Sequence, residues 1–181
     1  MIYFKFKADR NYLHGTDMFN SVSALLKDEY ISDISFRKTT KCQCVLSTEK
    51  GNNTVAIIKT PKQSYYLLES NELINDRYDF DEDGLVENAK VSDKKISMTL
   101  NNNFSYIENI VALTKKLNNT LDKPSSGKWL FGQYKSEHDL INFDGLIEIE
   151  SNKRITSRFS ENLIYLNGVL KAKIMFIVGE A

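Results

Sequence analysis

The sequence predicts an α+β protein built from two β-α-β-β-β repeats, each an antiparallel sheet with one helix. Three observations carry this. A strand, a helix and several strands follow one another twice along the chain. The two helices lie about 89 residues apart, close to half of the 181, so that Asn20 with Val22 matches Asn109 with Val111. Apolar and polar residues alternate along the strands, as sheets with one buried face require.

In order, Ile2, Phe4 and Phe6 alternate with Tyr3, Lys5 and Lys7 and predict a strand. Met18, Val22, Leu25 and Leu26 recur with helical spacing, and Thr16 or Asp17 can cap the N-terminus. A helix is therefore expected from about Asp17 to about Asp28. Strands follow over 34–36, 41–46, 54–59 and 65–68, with Lys50-Gly51-Asn52-Asn53 as a hairpin turn between the second and third. Residues 71–93 are acidic and aperiodic. They suggest a first repeat over 1–75, a connector over 76–93 and a second repeat over 94–181. Ile96, Met98 and Leu100 then mark a strand, and Ile107, Ile110, Val111, Thr114 and Leu117 a helix over about 104–119. Pro124 and Gly127 stop it. Strands are expected over 129–134, 146–150, 155–159 and 163–178, the last folded at Asn167-Gly168.

Composition narrows the function. Lys plus Arg and Asp plus Glu number 24 each, so no net basic charge favours nucleic acid or an anionic membrane. No apolar run approaches a membrane span, and the first residues lack the apolar core of a signal peptide, so a cytoplasmic location is expected. Cys42 and Cys44, two apart in a strand, read as core packing on one face rather than a disulfide or a zinc site. Asp79-Phe80-Asp81-Glu82-Asp83-Gly84 matches the start of an EF-hand loop, but Lys90 stands where a bidentate Glu is needed, so no metal is expected. No Gly-rich phosphate loop, nucleophile elbow or zinc-protease motif is present, and no cofactor is expected.

Groups able to do chemistry concentrate in Asp9-Arg10-Asn11-Tyr12-Leu13-His14-Gly15-Thr16-Asp17, which holds one of only two histidines. His14 is a candidate general base, oriented by Asp9 or Asp17. Backbone N–H groups at the helix start can polarise a substrate oxygen, and Gly15 lets a substrate approach them. The same residues also suit plain helix-start chemistry. The matching link in the second half, 101–105, holds no His and no acidic residue, which suits one site per chain. Glu137-His138-Asp139 is a second polar cluster, read as a turn, and Trp129, Phe131 and Tyr134 are read as core.

The doubled element order resembles a double hot-dog, an antiparallel sheet wrapped around two helices. Asp33-Ile34-Ser35-Phe36-Arg37-Lys38 resembles the strand that follows the helix in hot-dog acyl-thioester enzymes. Asp9-Arg10-Asn11-Tyr12-Leu13-His14 resembles the D-x-N-P-L-H motif of R-specific enoyl hydratases, with Tyr12 in place of Pro and Lys7-Ala8 in place of Ser-Gly. The resemblance implies that Asp9 and His14 act together on a water molecule, with Asn11 supporting the loop. Asp17 is a further catalytic candidate, and Asn11, Tyr12 and Gly15 are the candidate substrate-binding residues. The implied function is that of a hot-dog acyl-thioester protein, a dehydratase/hydratase of the β-hydroxyacyl type or a thioesterase. Its partner is acyl-CoA or an acyl carrier protein, and a homodimer is admitted. The alternative is a non-catalytic accessory protein that binds an acyl group or a partner.

Overall fold

The computed structural model describes residues 2–26 and 28–180. It is an α+β structure, mostly antiparallel sheet with few helices. The chain forms two units, one ending at Asp81 and the other running Glu82–Glu180. No helix among the described residues is long and apolar enough to cross a membrane.

The first unit holds β1 (Phe6–Lys7), α1 (Gly15–Leu25), β2 (Asp33–Phe36), β3 (Cys42–Ser47), β4 (Thr54–Lys59), β5 (Ser64–Leu73) and β6 (Arg77–Tyr78). The expected strand over 2–6 is mostly not a strand. Only Phe6–Lys7 pairs, in parallel with Arg77–Tyr78. Upstream, the Gln43 side chain substitutes for a neighbouring strand. Its Oε1 accepts from the Phe4 N–H at 2.7 Å, and its Nε2 donates to the Phe4 carbonyl at 2.9 Å. Gln43 is buried, so both bonds matter: an unpaired buried backbone group costs about 1–3 kcal/mol. The expected helix to Asp28 ends at Leu25, with Leu26 as C-cap; residue 27 lies outside the described residues.

The four-strand sheet of this unit runs β3-β5-β4-β2, all antiparallel. The hairpin expected between β3 and β4 does not form, because β5 lies between them. The turn at 50–53 closes on β5 instead: Asn53 Nδ2 donates to the Glu69 carbonyl, and the Glu69 N–H donates to the Asn53 carbonyl. A register shift between Cys42 and Cys44 also breaks the expected alternation. Gln43 and Cys44 are both buried while Cys42 is half-buried, and both thiols are free. Burial, with Glu69 adding to it, pushes the Cys44 thiol up to about 12. A thiolate is the nucleophile, so iodoacetamide at neutral pH should label Cys42 and spare Cys44 until the protein unfolds. Equal labelling rates in peptide mass spectra would contradict this.

The second unit holds α2 (Glu82–Leu85), β7 (Lys90–Ser92), β8 (Lys95–Thr99), α3 (Tyr106–Leu121), β9 (Lys128–Ser136), β10 (Leu146–Ile155), β11 (Phe159–Leu166) and β12 (Val169–Gly179). The acidic stretch read as a connector thus contains β6, α2 and β7. The sheet runs β9-β12-β11-β10-β8-β7. Ser105 and Glu108 form a reciprocal capping box that starts α3. The helix lies against β8, β9, β10 and β11 and buries Ile110, Leu113 and Leu117 completely. Each such side chain contributes roughly 1.5–3 kcal/mol. Of the strand expected over 155–159, Ile155 ends β10 and Phe159 opens β11, and 156–158 is the turn between them. Ser157 takes φ 52° there, and its N–H donates to Asp122 Oδ2 at 2.7 Å. The Asn167-Gly168 turn forms as expected. Both residues have positive φ, 49° and 78°, which two-residue hairpins of the mirror-image type demand.

The element order recurs in the two units, but the wiring differs. Numbering the helix-following strands by position, the first unit reads 3-5-4-2 and the second 3-4-5-2.

Candidate functional site

His14 is the N-cap of α1. Its backbone is extended, at φ −77° and ψ 141°, and its carbonyl accepts from the Asp17 and Met18 N–H groups at 3.1 and 3.2 Å. Its ring takes the place usually held by a Ser or Asp side chain. Nδ1 accepts from the Thr16 N–H at 3.4 Å and lies 2.8 Å from Thr16 Oγ1. His14 and Thr16 are both buried. Tyr12 is buried next to this ring, with centroids 6.3 Å apart.

The sequence did not point to the residue behind them, Lys7. Apolar alternation turns Lys7 outward, yet its side chain is 1% exposed. Its Nζ donates to Thr16 Oγ1 at 2.8 Å and lies 3.1 Å from Asp17 Oδ1. The β1–β6 register sets Lys7 opposite Tyr78, whose hydroxyl donates to Asp17 Oδ1 at 2.8 Å. The ammonium lies 4.0 Å from the centre of the Phe80 ring and 5.7 Å from that of Tyr78. A cation at a helix N-terminus opposes the helix dipole, and Asp17 in the first turn offsets it. The tight turn after β1 aids this placement: Ala8 takes φ 52°, and Arg77 Nη1 donates to the carbonyls of Ala8 and Arg10.

The other anticipated residues are placed differently. Asp9 is exposed and, among the described residues, has no hydrogen bond or ion pair. Asn11 is exposed, and Gly15 is the first residue of α1. The carboxylate that reaches the His14–Thr16 cap is Asp17, 3.5 Å from Thr16 Oγ1. His138 is exposed, and Asp139 accepts from the Ile141 N–H. Trp129, Phe131 and Tyr134 are buried in the second unit. Phe131 stacks on Phe176, and the Tyr134 hydroxyl lies 3.3 Å from that of Tyr106. Burial raises both phenols, Tyr134 to about 12. The EF-hand-like stretch gives Glu82 to an ion pair with Lys115 at 2.9 Å. Among the described residues no group of three His, Cys, Asp or Glu side chains is arranged to hold a metal. A cavity of about 490 Å³ in the second unit is lined by Leu85, Lys90, Met98, Asn101 and Leu146 among others and holds none of the catalytic candidates.

No family model matches the chain, and no curated protein matches it in sequence. Solved structures of similar shape include a protein described as a thioesterase II from Thermobifida fusca. It is 10% identical, with 95% of this chain and 88% of that one covered and a TM-score of 0.46. Another is a fusion DH domain, 10% identical, with 94% and 79% covered and a TM-score of 0.45.

Proposed function

We propose that this protein has two hot-dog-type repeats and receives an acyl thioester at the start of α1, where His14 meets it. The resemblance of residues 9–14 and 33–38 to hot-dog acyl-thioester enzymes supports the reading. The observation that carries it is the placement of His14. The ring is fixed by Thr16 at the N-terminus of α1, where the helix dipole favours developing negative charge. That arrangement suits a thioester carbonyl. The chemistry is hydration or dehydration of the acyl chain, or hydrolysis, on acyl-CoA or an acyl carrier protein. Asp17, joined to the Thr16–His14 cap through the Lys7 ammonium, takes the place that the resemblance gives to Asp9.

One observation favours a second reading, a non-catalytic protein that binds an acyl group or a partner. Asp9, the carboxylate that the resemblance pairs with His14, is exposed and unpaired among the described residues.

Purified protein on crotonyl-CoA, 3-hydroxyacyl-CoA and saturated acyl-CoA panels separates the two. His14→Asn keeps the helix cap and should cut turnover at least about 100-fold. Identical progress curves for the two proteins would remove the catalytic assignment. Acyl-CoA binding without turnover would establish the second reading.

A further inference from the structure

We infer that Lys7 is a positioning residue which, acting through the Thr16 hydroxyl, fixes the proton of His14 on Nε2. The inference rests on the reading of His14 above for the ring's function, but not for its protonation.

A count of protons at Thr16 Oγ1 carries it. The hydroxyl has one proton to give and two lone pairs. Lys7 Nζ carries no lone pair in its charged form, so at 2.8 Å it donates to Oγ1. The hydroxyl proton therefore goes to His14 Nδ1, at 2.8 Å, or to Asp17 Oδ1, at 3.5 Å. The shorter contact is the better acceptor. Asp17 Oδ1 already takes Tyr78 at 2.8 Å and Lys7 at 3.1 Å. The backbone supplies a second, independent constraint: Nδ1 accepts from the Thr16 N–H in closing the helix cap. A protonated Nδ1 would lose that bond and point a proton at an N–H.

Nδ1 is thus bare, and the neutral ring carries its proton on Nε2. Of Lys7 and Asp17, the Lys7 cation lies nearer to Thr16 Oγ1, at 2.8 Å against 3.5 Å. Whatever faces Nε2 meets a hydrogen-bond donor. In an acyl-thioester reaction that assigns His14 the task of polarising or protonating an oxygen rather than abstracting a proton.

The test is a ¹H–¹⁵N correlation spectrum of the full chain at neutral pH, with the histidines ¹⁵N-labelled. His138 is exposed and provides a solvent-averaged ring in the same spectrum. His14 should show a pyridine-like Nδ1 and a protonated Nε2, with the minor tautomer at least about tenfold depleted relative to His138. Thr16→Ser should keep this pattern. Thr16→Val and Lys7→Met, where folded, should move the ratio back toward that of His138. A pyridine-like Nε2, a doubly protonated ring or a His14 indistinguishable from His138 would overturn the inference, and the wild-type spectrum alone suffices for that. Turnover with a reversed tautomer would defeat only this inference. The expected tautomer without turnover would defeat only the catalytic reading.

Discussion

Asp17→Ala should destabilise the protein by about 4 kcal/mol, and adding Lys7→Met should recover part of that loss. The expectation comes from unequal burial of the pair. Lys7 is 1% exposed and Asp17 is 14% exposed. Removing Asp17 leaves a buried ammonium at the positive end of α1, with the Thr16 hydroxyl and the Phe80 and Tyr78 rings around it. Removing Lys7 leaves a carboxylate in the first turn of a helix, where the dipole favours it, with the Tyr78 hydroxyl still donating. Lys7→Met should therefore cost only about 2 kcal/mol, much of it lost cation–π and hydrogen-bond energy. Urea unfolding of the two single variants and the double completes the cycle. A double variant less stable than Asp17→Ala would show that Lys7 is not held there by Asp17.

Asn109→Leu should cost about 3–4 kcal/mol, more than most core substitutions of similar volume, because one side chain replaces several backbone partners. Asn109 is completely buried. Its Oδ1 accepts from the Asn101 N–H at 2.9 Å, and its Nδ2 donates to the Ser105 and Asn101 carbonyls at 2.9 and 3.2 Å. It thereby ties the link after β8 to the first turn of α3. Leucine fills the space but leaves these groups without a partner. Asn109→Asp should not rescue, because it keeps the acceptor and sets a carboxylate against carbonyl oxygens. Thermal unfolding followed by circular dichroism measures both variants. A loss below about 1 kcal/mol for Asn109→Leu would mean that water replaces the amide at little cost.

Local chemistry was legible in the sequence, and long-range pairing was not. Asn167-Gly168 demanded a mirror-image turn, and the turn is there. The helical spacing of Ile107, Ile110, Val111, Thr114 and Leu117 located α3 within a few residues. The β3–β5 pairing skips over β4, and nothing in either strand encodes a partner that distant. For the site, the concentration of polar groups around His14 was visible, and so was the helix start. Lys7 was not, because alternation assigns it to solvent. Its burial follows from the register of β1 with β6, two-residue strands some 70 positions apart. The choice of Asp9 over Asp17 as the partner of His14 rests on the motif resemblance, which has no term for the positive φ at Ala8 or for the turn that follows it.

The second unit's sheet also has an order of assembly written into its separations. β10, β11 and β12 close on one another through two short turns, with Ile155 opposite Phe159 and Leu166 opposite Val169. β8 and β9 pair across far longer stretches, Thr99 with Leu146 and Lys128 with Gly179. The entropy of closing a loop rises with its length, and folding slows as contacts become less local. The three-strand meander is therefore expected to form first, with β8 and β9 docking later on its edges. The Asn167-Gly168 turn is then an early, local step, and the long closures that bring in β8 and β9 set the pace at which the sheet around α3 is completed.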